Sequence, residues 1–173
     1  GVDRSRPVFR VAFDGAPCSV LADDPHIAER LCDVGRVLVA ADAFGAATQL
    51  VEEAVEYAKT REQFGQKIGQ FQAVKHQLAR LALDIEPSRA LLWYAAYAVD
   101  HLPEDGARAA ALAKSHITDR AMEAARAIVE LHGGYGFTWE CDVQMSFKRL
   151  MFDRAFLGNP DRLRERCADL AGW

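Results

Sequence analysis

The sequence predicts an all-α protein, an up-and-down four-helix bundle preceded by a short β segment. Apolar residues recur every three or four positions over most of the chain after residue 24. Turn signals divide these stretches into long helices with short connections, which is the pattern of an up-and-down bundle. The β-prone residues lie at the beginning. We therefore expect residues 1–22 to be the tail of a β-domain and residues 23–173 to form the helical bundle.

The β segment covers residues 8–13, where Val, Phe, Arg, Val, Ala and Phe follow one another in a partly alternating, β-prone pattern. Residues 14–17 contain Gly15 and Pro17, which predict a turn. One or two strands are not stable without further strands. We therefore expect the body of this β-domain to lie upstream.

The first helix is predicted to run from the Asp24-Pro25 pair to about residue 60. Asp24 is expected as the N-cap and Pro25 at the first helical position. Helix breakers then appear only at Gly65 and Gly69. The apolar face that supports this prediction contains Val37, Leu38, Ala41, Phe44, Val51 and Val55.

The second helical stretch is predicted between about residues 70 and 100, with Pro87 inside it. Proline removes a backbone hydrogen bond, so either a kinked helix or two shorter helices meeting at Pro87 satisfies the pattern. A third helix is expected over about 105–131, ending at Gly133-Gly134, and a fourth over about 140–157. Asn159-Pro160 then separates a short last helix over 161–171.

Composition excludes several classes of protein. The net charge is -4 and the pI is near 5.7, whereas a nucleic-acid-binding module carries a basic surface. The four cysteines are scattered without a Cys-x-x-Cys pair, which disfavours a structural zinc site or a disulfide framework. No apolar run reaches the roughly 20 residues of a membrane helix, and no signal peptide is visible. We expect a cytoplasmic protein without a membrane span.

The segment from Tyr57 to Gly65, with the sequence YAKTREQFG, is the first candidate binding motif. Basic residues at a helix end can simply complement the helix dipole. Alternatively, Arg61 offers a fork of donors for two phosphate oxygens, and Phe64 one turn later offers a ring for stacking on an adenine.

A second candidate motif is the glycine-rich loop from His132 to Phe137, with the sequence HGGYGF. Glycine is common just after a helix, so a helix stop is one interpretation. Three glycines within four residues exceed what a stop needs, and they allow a ligand to approach the backbone closely.

Together these motifs resemble the acyl-CoA dehydrogenase family. The shared features are REQFG, then IGQFQAVKH, then LHGGYGFTWE about 60 residues later, and the resemblance covers essentially the whole chain. It implies that residues up to Pro17 end the family's middle β-domain. It also implies FAD as the cofactor, an acyl-CoA thioester as the substrate, an electron-transfer flavoprotein as the electron acceptor, and a dimeric or tetrameric assembly. The family's N-terminal helical domain and most of its β-domain are absent, so we expect this chain to bind little FAD alone.

Residue by residue, the resemblance implies a cofactor site and its surroundings. Arg61 matches the arginine on the FAD pyrophosphate, whereas Phe64 and Gln72 match positions beside the adenine. Gly133 and Gly134 match the loop that the cofactor approaches. Arg36 matches an arginine near the active site, and a structural ion pair is an equally good interpretation of it.

The positions of the catalytic base depart from the family pattern. The family usually places its glutamate where this chain has Leu157, and some members place it where this chain has Gly35. Neither residue accepts a proton. Asp153 and Asp161 lie nearby in sequence, but carboxylates are common on surfaces and these are not favoured as the base.

A third departure is Glu130, where the family often has a cofactor-binding glutamine. A carboxylate there would repel a pyrophosphate, by roughly 1 kcal/mol for two charges 4 Å apart in water. The segment GFTWE, followed by Leu-Gly-Asn-Pro, also resembles actinobacterial acyl-CoA dehydrogenases that form heteromers.

We therefore weigh four hypotheses. The chain is a non-catalytic partner in a heteromeric dehydrogenase, which explains the empty base positions and Glu130 together, or a working dehydrogenase subunit with another base. Two alternatives are a related flavoenzyme, such as an acyl-CoA oxidase or flavin monooxygenase, and a helical interaction module without a cofactor. The clustered motifs disfavour the last of these.

Overall fold

The computed structural model describes residues 3–20, 23–24 and 26–173. Six α-helices and one small β-hairpin are present in these residues, which confirms the all-α class. Two short 3-10 segments, Ile68–Gln70 and Gly133–Phe137, connect longer elements. The elements are α1 (Ile27–Thr60), β1 (Glu62–Gln63), β2 (Gln66–Lys67), α2 (Gln72–Ile85), α3 (Ser88–His101), α4 (Gly106–Leu131), α5 (Val143–Ala155) and α6 (Pro160–Ala171).

The bundle is organised around α4, which packs against α1, α3, α5 and α6. Small side chains make this close packing possible, because an alanine lets two helix backbones approach. On α1 the fully buried residues Ala40, Ala43 and Ala47 lie in the core together with Ala113, Ala121 and other alanines of α4. The predicted up-and-down bundle therefore forms from α1, the α2–α3 pair, α4 and α5.

The first helix, α1, is long and apolar enough to cross a membrane by length and composition. An 18-residue window of α1 has a mean hydropathy of 1.3, which our count of uninterrupted apolar residues did not anticipate. Ala40, Ala43, Ala47, Leu50 and Ala54 are fully buried in the core, but only 39% of that window is buried in the described structure.

The second predicted helix is divided at Pro87, as the two-helix alternative requires. Helix α2 ends at Ile85, and Pro87 stands at the N-cap position of α3. Its missing N–H would have broken the ladder of a continuous helix. Arg89 and Glu86 form an exposed ion pair across this junction, with Nε and Oε1 2.8 Å apart.

Two predictions for the beginning of the chain were wrong in detail. Residues 8–13 form no strand, because no second strand pairs with their backbone in the described residues, and Val8, Phe9 and Phe13 are exposed. The N-cap of α1 is His26 rather than Asp24, whose carboxylate accepts a hydrogen bond from the His26 N–H. The predicted role of Pro25 lies outside the described residues.

The last two helices begin at slightly different residues from those predicted. Helix α5 starts at Val143, because the glycine-rich loop and a turn occupy the preceding residues. Helix α6 starts at Pro160, whose fixed φ suits the first helical position. The Asn159 side chain caps α6 by accepting a hydrogen bond from the Arg162 N–H at 2.9 Å.

The N-terminal segment, residues 3–6, is fastened to the bundle by Arg6. Its guanidinium forms ion pairs with Asp3, with Asp42 of α1 and with Asp153 of α5, at 2.9, 2.8 and 3.0 Å respectively. The guanidinium also lies 5.0 Å from the ring centroid of Phe152. The segment before the bundle therefore has a defined place on α1 and α5.

Candidate functional site

The hairpin that follows α1 presents Phe64 at its tip. Gln63 pairs with Gln66 and Glu62 pairs with Lys67, so the turn has two central residues. These residues, Phe64 and Gly65, have φ values of 54° and 76°. Two positive φ values are typical of a type I′ turn, where phenylalanine is unfavourable. Phe64 is also 91% exposed, so the ring is available to a binding partner.

Arg61 and the two glycines Gly133 and Gly134 come together at one cleft of about 190 Å³. Arg61 leads into the hairpin, and the glycines begin the loop after α4, so the cleft joins two segments about 70 residues apart. Gly133 has a φ of +62°, and a Cβ on either glycine would meet no atom within 4 Å. The backbone of this loop is therefore open to a ligand.

Tyr57 and His132 form an aromatic wall of the same cleft, and the sequence analysis did not identify either as a site residue. Their rings stack with centroids 4.1 Å apart. His132 is buried, and its Nδ1 lies 2.8 Å from the Ile128 carbonyl oxygen, which fixes the ring. An isolated histidine before a glycine pair carries no sequence signal for this stacking.

The residues of this cleft suit a phosphate or pyrophosphate. No carboxylate in the described part of the chain pairs with Arg61, so its guanidinium is available to an anion. The open backbone at Gly133 and Gly134 permits close approach. The FAD pyrophosphate implied by the family resemblance therefore fits here. Phe64 and Gln72 do not line the cleft; Phe64 lies at the hairpin tip, and Gln72 is exposed at the start of α2.

Glu130 lies in a different cleft from Arg61. It lines a cavity of about 430 Å³ together with Phe137, Trp139 and Lys148. Glu130 was expected beside the pyrophosphate, but it does not line the cleft that contains Arg61. Whether Glu130 affects cofactor binding stays a prediction.

Gly35 and Leu157, the two positions to which the resemblance assigns the base, lie against each other. A Cβ placed on Gly35 would be 2.6 Å from Leu157 Cδ1, so the leucine side chain occupies the space directly over the glycine. These residues are separated by more than 120 positions, and α1 and the loop after α5 bring them together. Both positions therefore belong to one local site, where an apolar side chain lies over the glycine.

Arg36, next to Gly35, is buried in a network of ion pairs. Its Nη1 donates to Glu29 Oε1 at 2.8 Å and to Asp33 Oδ1 at 2.5 Å, and its Nε donates to the Leu157 carbonyl at 3.2 Å. The hydrogen bond from Arg36 lowers the pKa of Glu29. Arg36 thus has the structural ion pairs that the sequence allowed, and it also contacts the backbone of the base position.

Lys114 is a further residue near these positions that the sequence analysis did not identify. It is fully buried on α4, and its Nζ donates to the carbonyl oxygens of Arg154 at 2.9 Å and Gly158 at 2.5 Å. Burial lowers the pKa of Lys114 to about 8. Its position on the apolar face of α4, between Ala111 and Ile117, was a usable signal because a charged residue there must find partners.

Two aspartates, Asp153 and Asp161, lie near these positions in the sequence. Asp153 is fully buried beneath Arg6, and burial together with the neighbouring Asp42 carboxylate raises its pKa to about 7. Asp161 is exposed in the first turn of α6 and pairs with Arg164. The structure thus places Asp153 in a structural cluster and Asp161 at the surface.

Comparison with known proteins identifies the same family. The family model for the acyl-CoA dehydrogenase C-terminal domain matches residues 25–171. The acyl-CoA dehydrogenase IpdE2 of Mycobacterium tuberculosis is 38% identical over 146 residues, covering 84% of this chain and 43% of that protein. The caffeyl-CoA reductase-Etf complex subunit CarC of Acetobacterium woodii is 34% identical over 121 residues, covering 70% and 32%.

Structural comparison agrees with the sequence comparison. The Tcur3481-Tcur3483 steroid ACAD superposes with a TM-score of 0.80 at 32% identity, covering 86% of this chain and 41% of that chain. The chain thus spans less than half the length of the relatives it matches. The family match and the helical fold together show that this chain belongs to the acyl-CoA dehydrogenase family, of which it contains the C-terminal domain.

Proposed function

We propose that this chain is the C-terminal domain of a subunit without a catalytic base in a heteromeric, FAD-dependent acyl-CoA dehydrogenase. The observation that carries the proposal is the contact between Gly35 and Leu157. A Cβ added to Gly35 would lie 2.6 Å from Leu157 Cδ1. The resemblance assigns the base to one position or the other. Here a leucine fills the space above a glycine, so a carboxylate is missing from both.

The chemistry of the family explains why this matters. A carboxylate removes the α-proton of the thioester while the β-hydrogen leaves as hydride to the flavin, so the acyl group loses two hydrogens and the flavin gains two electrons. Leucine has no lone pair and cannot accept the proton. A second subunit that carries the carboxylate then performs the proton abstraction, and this chain contributes to assembly and to a cofactor site.

The cleft at Arg61 supports the second role. The Arg61 guanidinium, which has no carboxylate partner in the described chain, and the open backbone of Gly133 and Gly134 form a surface for the pyrophosphate of a dinucleotide. The exposed ring of Phe64 lies outside this cleft, at the hairpin tip. Because Phe64 is 91% exposed at a hairpin tip, it is suited to reach a flavin bound by a neighbouring subunit. The chain's own contribution is to bind and orient the cofactor through Arg61 and the loop backbone.

Two names among the relatives support the proposed partners. The relative in Acetobacterium woodii is a subunit of a complex with Etf, which favours an electron-transfer flavoprotein as the acceptor. The Tcur3481-Tcur3483 steroid ACAD carries the names of two components, which favours a heteromeric arrangement. Its designation as a steroid ACAD favours a CoA thioester as the substrate class.

The test is to purify the native assembly that contains this chain and to measure its composition, its flavin content and its activity. Mass spectrometry is expected to find a second, related subunit with glutamate at one base position. Absorbance is expected to give less than one FAD per chain of this subunit, and dehydrogenation is expected only with the second subunit present.

A homomer with one FAD per chain that dehydrogenates an acyl-CoA at normal rates would contradict this proposal. Rapid reaction of its reduced flavin with oxygen would instead favour an acyl-CoA oxidase or a flavin monooxygenase. An assembly with neither flavin nor CoA-thioester activity would favour a helical interaction module.

A further inference from the structure

The loop that joins α5 to α6, residues 156–159, has an unfavourable backbone at the base position. Leu157 has a φ of 58° and Gly158 a φ of 108°. A left-handed conformation is accessible to glycine but costs a branched residue such as leucine stability. The conformation at Leu157 therefore needs support from the surrounding structure.

Two buried cations provide that support by binding consecutive carbonyl groups of the loop. Arg36 Nε donates to the Leu157 carbonyl at 3.2 Å, and Lys114 Nζ donates to the Gly158 carbonyl at 2.5 Å. Lys114 also donates to the carbonyl of Arg154, in the last turn of α5, at 2.9 Å. One cation comes from α1 and the other from α4, so the loop is held from two helices.

Lys114 is a buried cation whose hydrogen-bond partners are backbone carbonyl groups. It is fully buried, and no carboxylate forms an ion pair with it in the described part of the chain. Burying an ammonium group is costly unless it finds hydrogen-bonding partners. One carbonyl partner of Lys114 is in the last turn of α5 and the other is in the loop. The buried ammonium group therefore holds the loop in a fixed position relative to α5.

Side-chain packing fixes the direction in which position 157 points. The Leu157 side chain lies over Gly35, where a Cβ would approach Leu157 Cδ1 to 2.6 Å. On the other side, a Cβ on Gly158 would be 3.2 Å from Leu163 Cδ2 of α6. The loop is thus seated between α1 and α6 with its side chain directed at the first helix.

We propose that Lys114 and Arg36 are positioning residues, which hold the residue at 157 over Gly35 whatever its side chain is. The framework of the base position is then intact although the base is absent, and a carboxylate introduced at 157 occupies the position of the base. This inference rests on the proposed function for its chemistry, whereas the clamping of the loop is independent of it.

The first test measures the clamp by hydrogen–deuterium exchange of the protein as purified. Lys114→Met leaves two buried carbonyl groups without a donor, so exchange in a peptide covering residues 156–163 is expected to rise roughly tenfold. Lys114→Gln retains one donor and is expected to restore part of the protection; it also serves if the methionine variant does not fold. The exposed Lys75→Met is the matched control. Unchanged exchange in both Lys114 variants would overturn the proposal.

The second test asks whether the clamped position supports catalysis. Leu157→Glu is introduced into the assembled flavoprotein, with the glutamate of the base-bearing partner changed to glutamine to remove background turnover. Dehydrogenation of the acyl-CoA is expected to reappear. Adding Lys114→Gln is expected to lower kcat roughly tenfold while KM stays within about twofold, because position and not binding is lost.

The two tests fail differently. If Leu157→Glu is active and Lys114→Gln leaves kcat and the pH–rate profile unchanged, the positioning role is wrong. If the exchange experiment shows the clamp but Leu157→Glu is inert, the clamp stands and the claim that a carboxylate at 157 occupies the position of the base is wrong. The proposed function fails separately, if the native assembly is a homomer with one FAD per chain that dehydrogenates an acyl-CoA.

Discussion

At Gly35 and Gly136 the same small side chain would meet obstacles of different kinds. A Cβ on Gly35 would lie 2.6 Å from the end of the Leu157 side chain, whereas a Cβ on Gly136 would lie 2.6 Å from the Val129 carbonyl oxygen. A side-chain end can rotate away, but the Val129 carbonyl belongs to the backbone of α4. The two Cβ distances are equal, but we expect alanine to destabilise the protein less at position 35 than at position 136.

We predict that Gly35→Ala changes the free energy of unfolding by less than about 1 kcal/mol, because the helix propensity of alanine offsets part of the clash. Gly136→Ala is expected to cost roughly 2 kcal/mol or more, because the loop must move away from α4. Urea unfolding of both variants measures the difference. If both variants lost the same free energy of unfolding, the Leu157 side chain would be as rigid as the backbone. The double variant Gly35→Ala with Leu157→Ala then measures the energetic coupling between these two residues.

Asp153 is a second residue whose neighbours determine its behaviour. Burial and the adjacent Asp42 carboxylate raise its pKa to about 7, while the ion pair with Arg6 opposes this. The other charged groups that act on Asp153 are Arg149 and Lys114. In the folded protein Asp153 therefore holds its proton at pH values where the unfolded chain has lost it.

The sign of the pH dependence follows from this difference. A raised folded-state pKa contributes stability that is fully present below the unfolded value, near 3.9, and is lost as the pH rises through about 7. Asp153→Asn removes this dependence, so its stability relative to wild type is expected to rise by about 2–3 kcal/mol between pH 5 and pH 8. Urea unfolding across this range measures it, with the exposed Asp161→Asn as the control. Parallel curves for wild type and Asp153→Asn would contradict the prediction.

The hairpin formed by β1 and β2 is an element whose sequence does not suit its own turn. A type I′ turn favours asparagine or glycine at its first central position, but this chain has Phe64 there, with a φ of 54° and almost full exposure. An edge-on contact with Phe71, at 6.2 Å between centroids, does little to cover the ring. A strained and exposed aromatic residue indicates that the element serves binding rather than stability.

We predict that Phe64→Asn stabilises the protein by roughly 1 kcal/mol, because asparagine tolerates the left-handed conformation. The same change is expected to weaken flavin retention in the assembled complex, because the ring is lost. Phe64→Leu separates these effects, since it keeps the strain but removes the aromatic face. Thermal unfolding and flavin release are the measurements, and unchanged flavin retention in both variants would exclude Phe64 from the cofactor site.

The elements also show which features a sequence alone can predict. The periodicity of α1 and α4 gave ends within a few residues of those observed, because long amphipathic patterns and glycine stops act locally. The sequence left the kink and the two-helix alternative open at Pro87, because the choice depends on packing against α4. The strand over residues 8–13 failed for a related reason, since a strand exists only with a partner.

The candidate site divides in the same way. Arg61, Gly133 and Gly134 could be proposed from their motifs, and they do share a cleft. The separation of Glu130 from that cleft depends on the side of α4 that Glu130 faces. The contact between Gly35 and Leu157 and the clamp by Lys114 could not be read locally, because each joins residues more than 40 positions apart.

For the whole molecule, stability and binding are located in different places. The core follows the buried alanines of α1 and α4, whereas the aromatic residues Phe64, Trp93 and Trp139 are largely exposed. Arg61 likewise lies outside the core at the end of α1, with no carboxylate partner in the described chain. A change at Arg61 should therefore affect assembly with the flavin and leave the bundle unaffected.

We predict that Arg61→Gln alters the free energy of unfolding of this chain by less than about 0.5 kcal/mol, as is usual for an exposed residue. In the assembled complex the same change should weaken FAD binding roughly tenfold or more, because a charge-assisted contact to the pyrophosphate is lost. Arg61→Lys keeps the charge without the fork of donors, so an intermediate affinity is expected. Exposed Arg80→Gln on α2 is the matched control for loss of one positive charge. If Arg61→Gln retained FAD as the wild type does, the cleft that contains Gly133 and Gly134 would not be the flavin site. The contact between the hairpin and the glycine-rich loop would then serve only the packing of the chain.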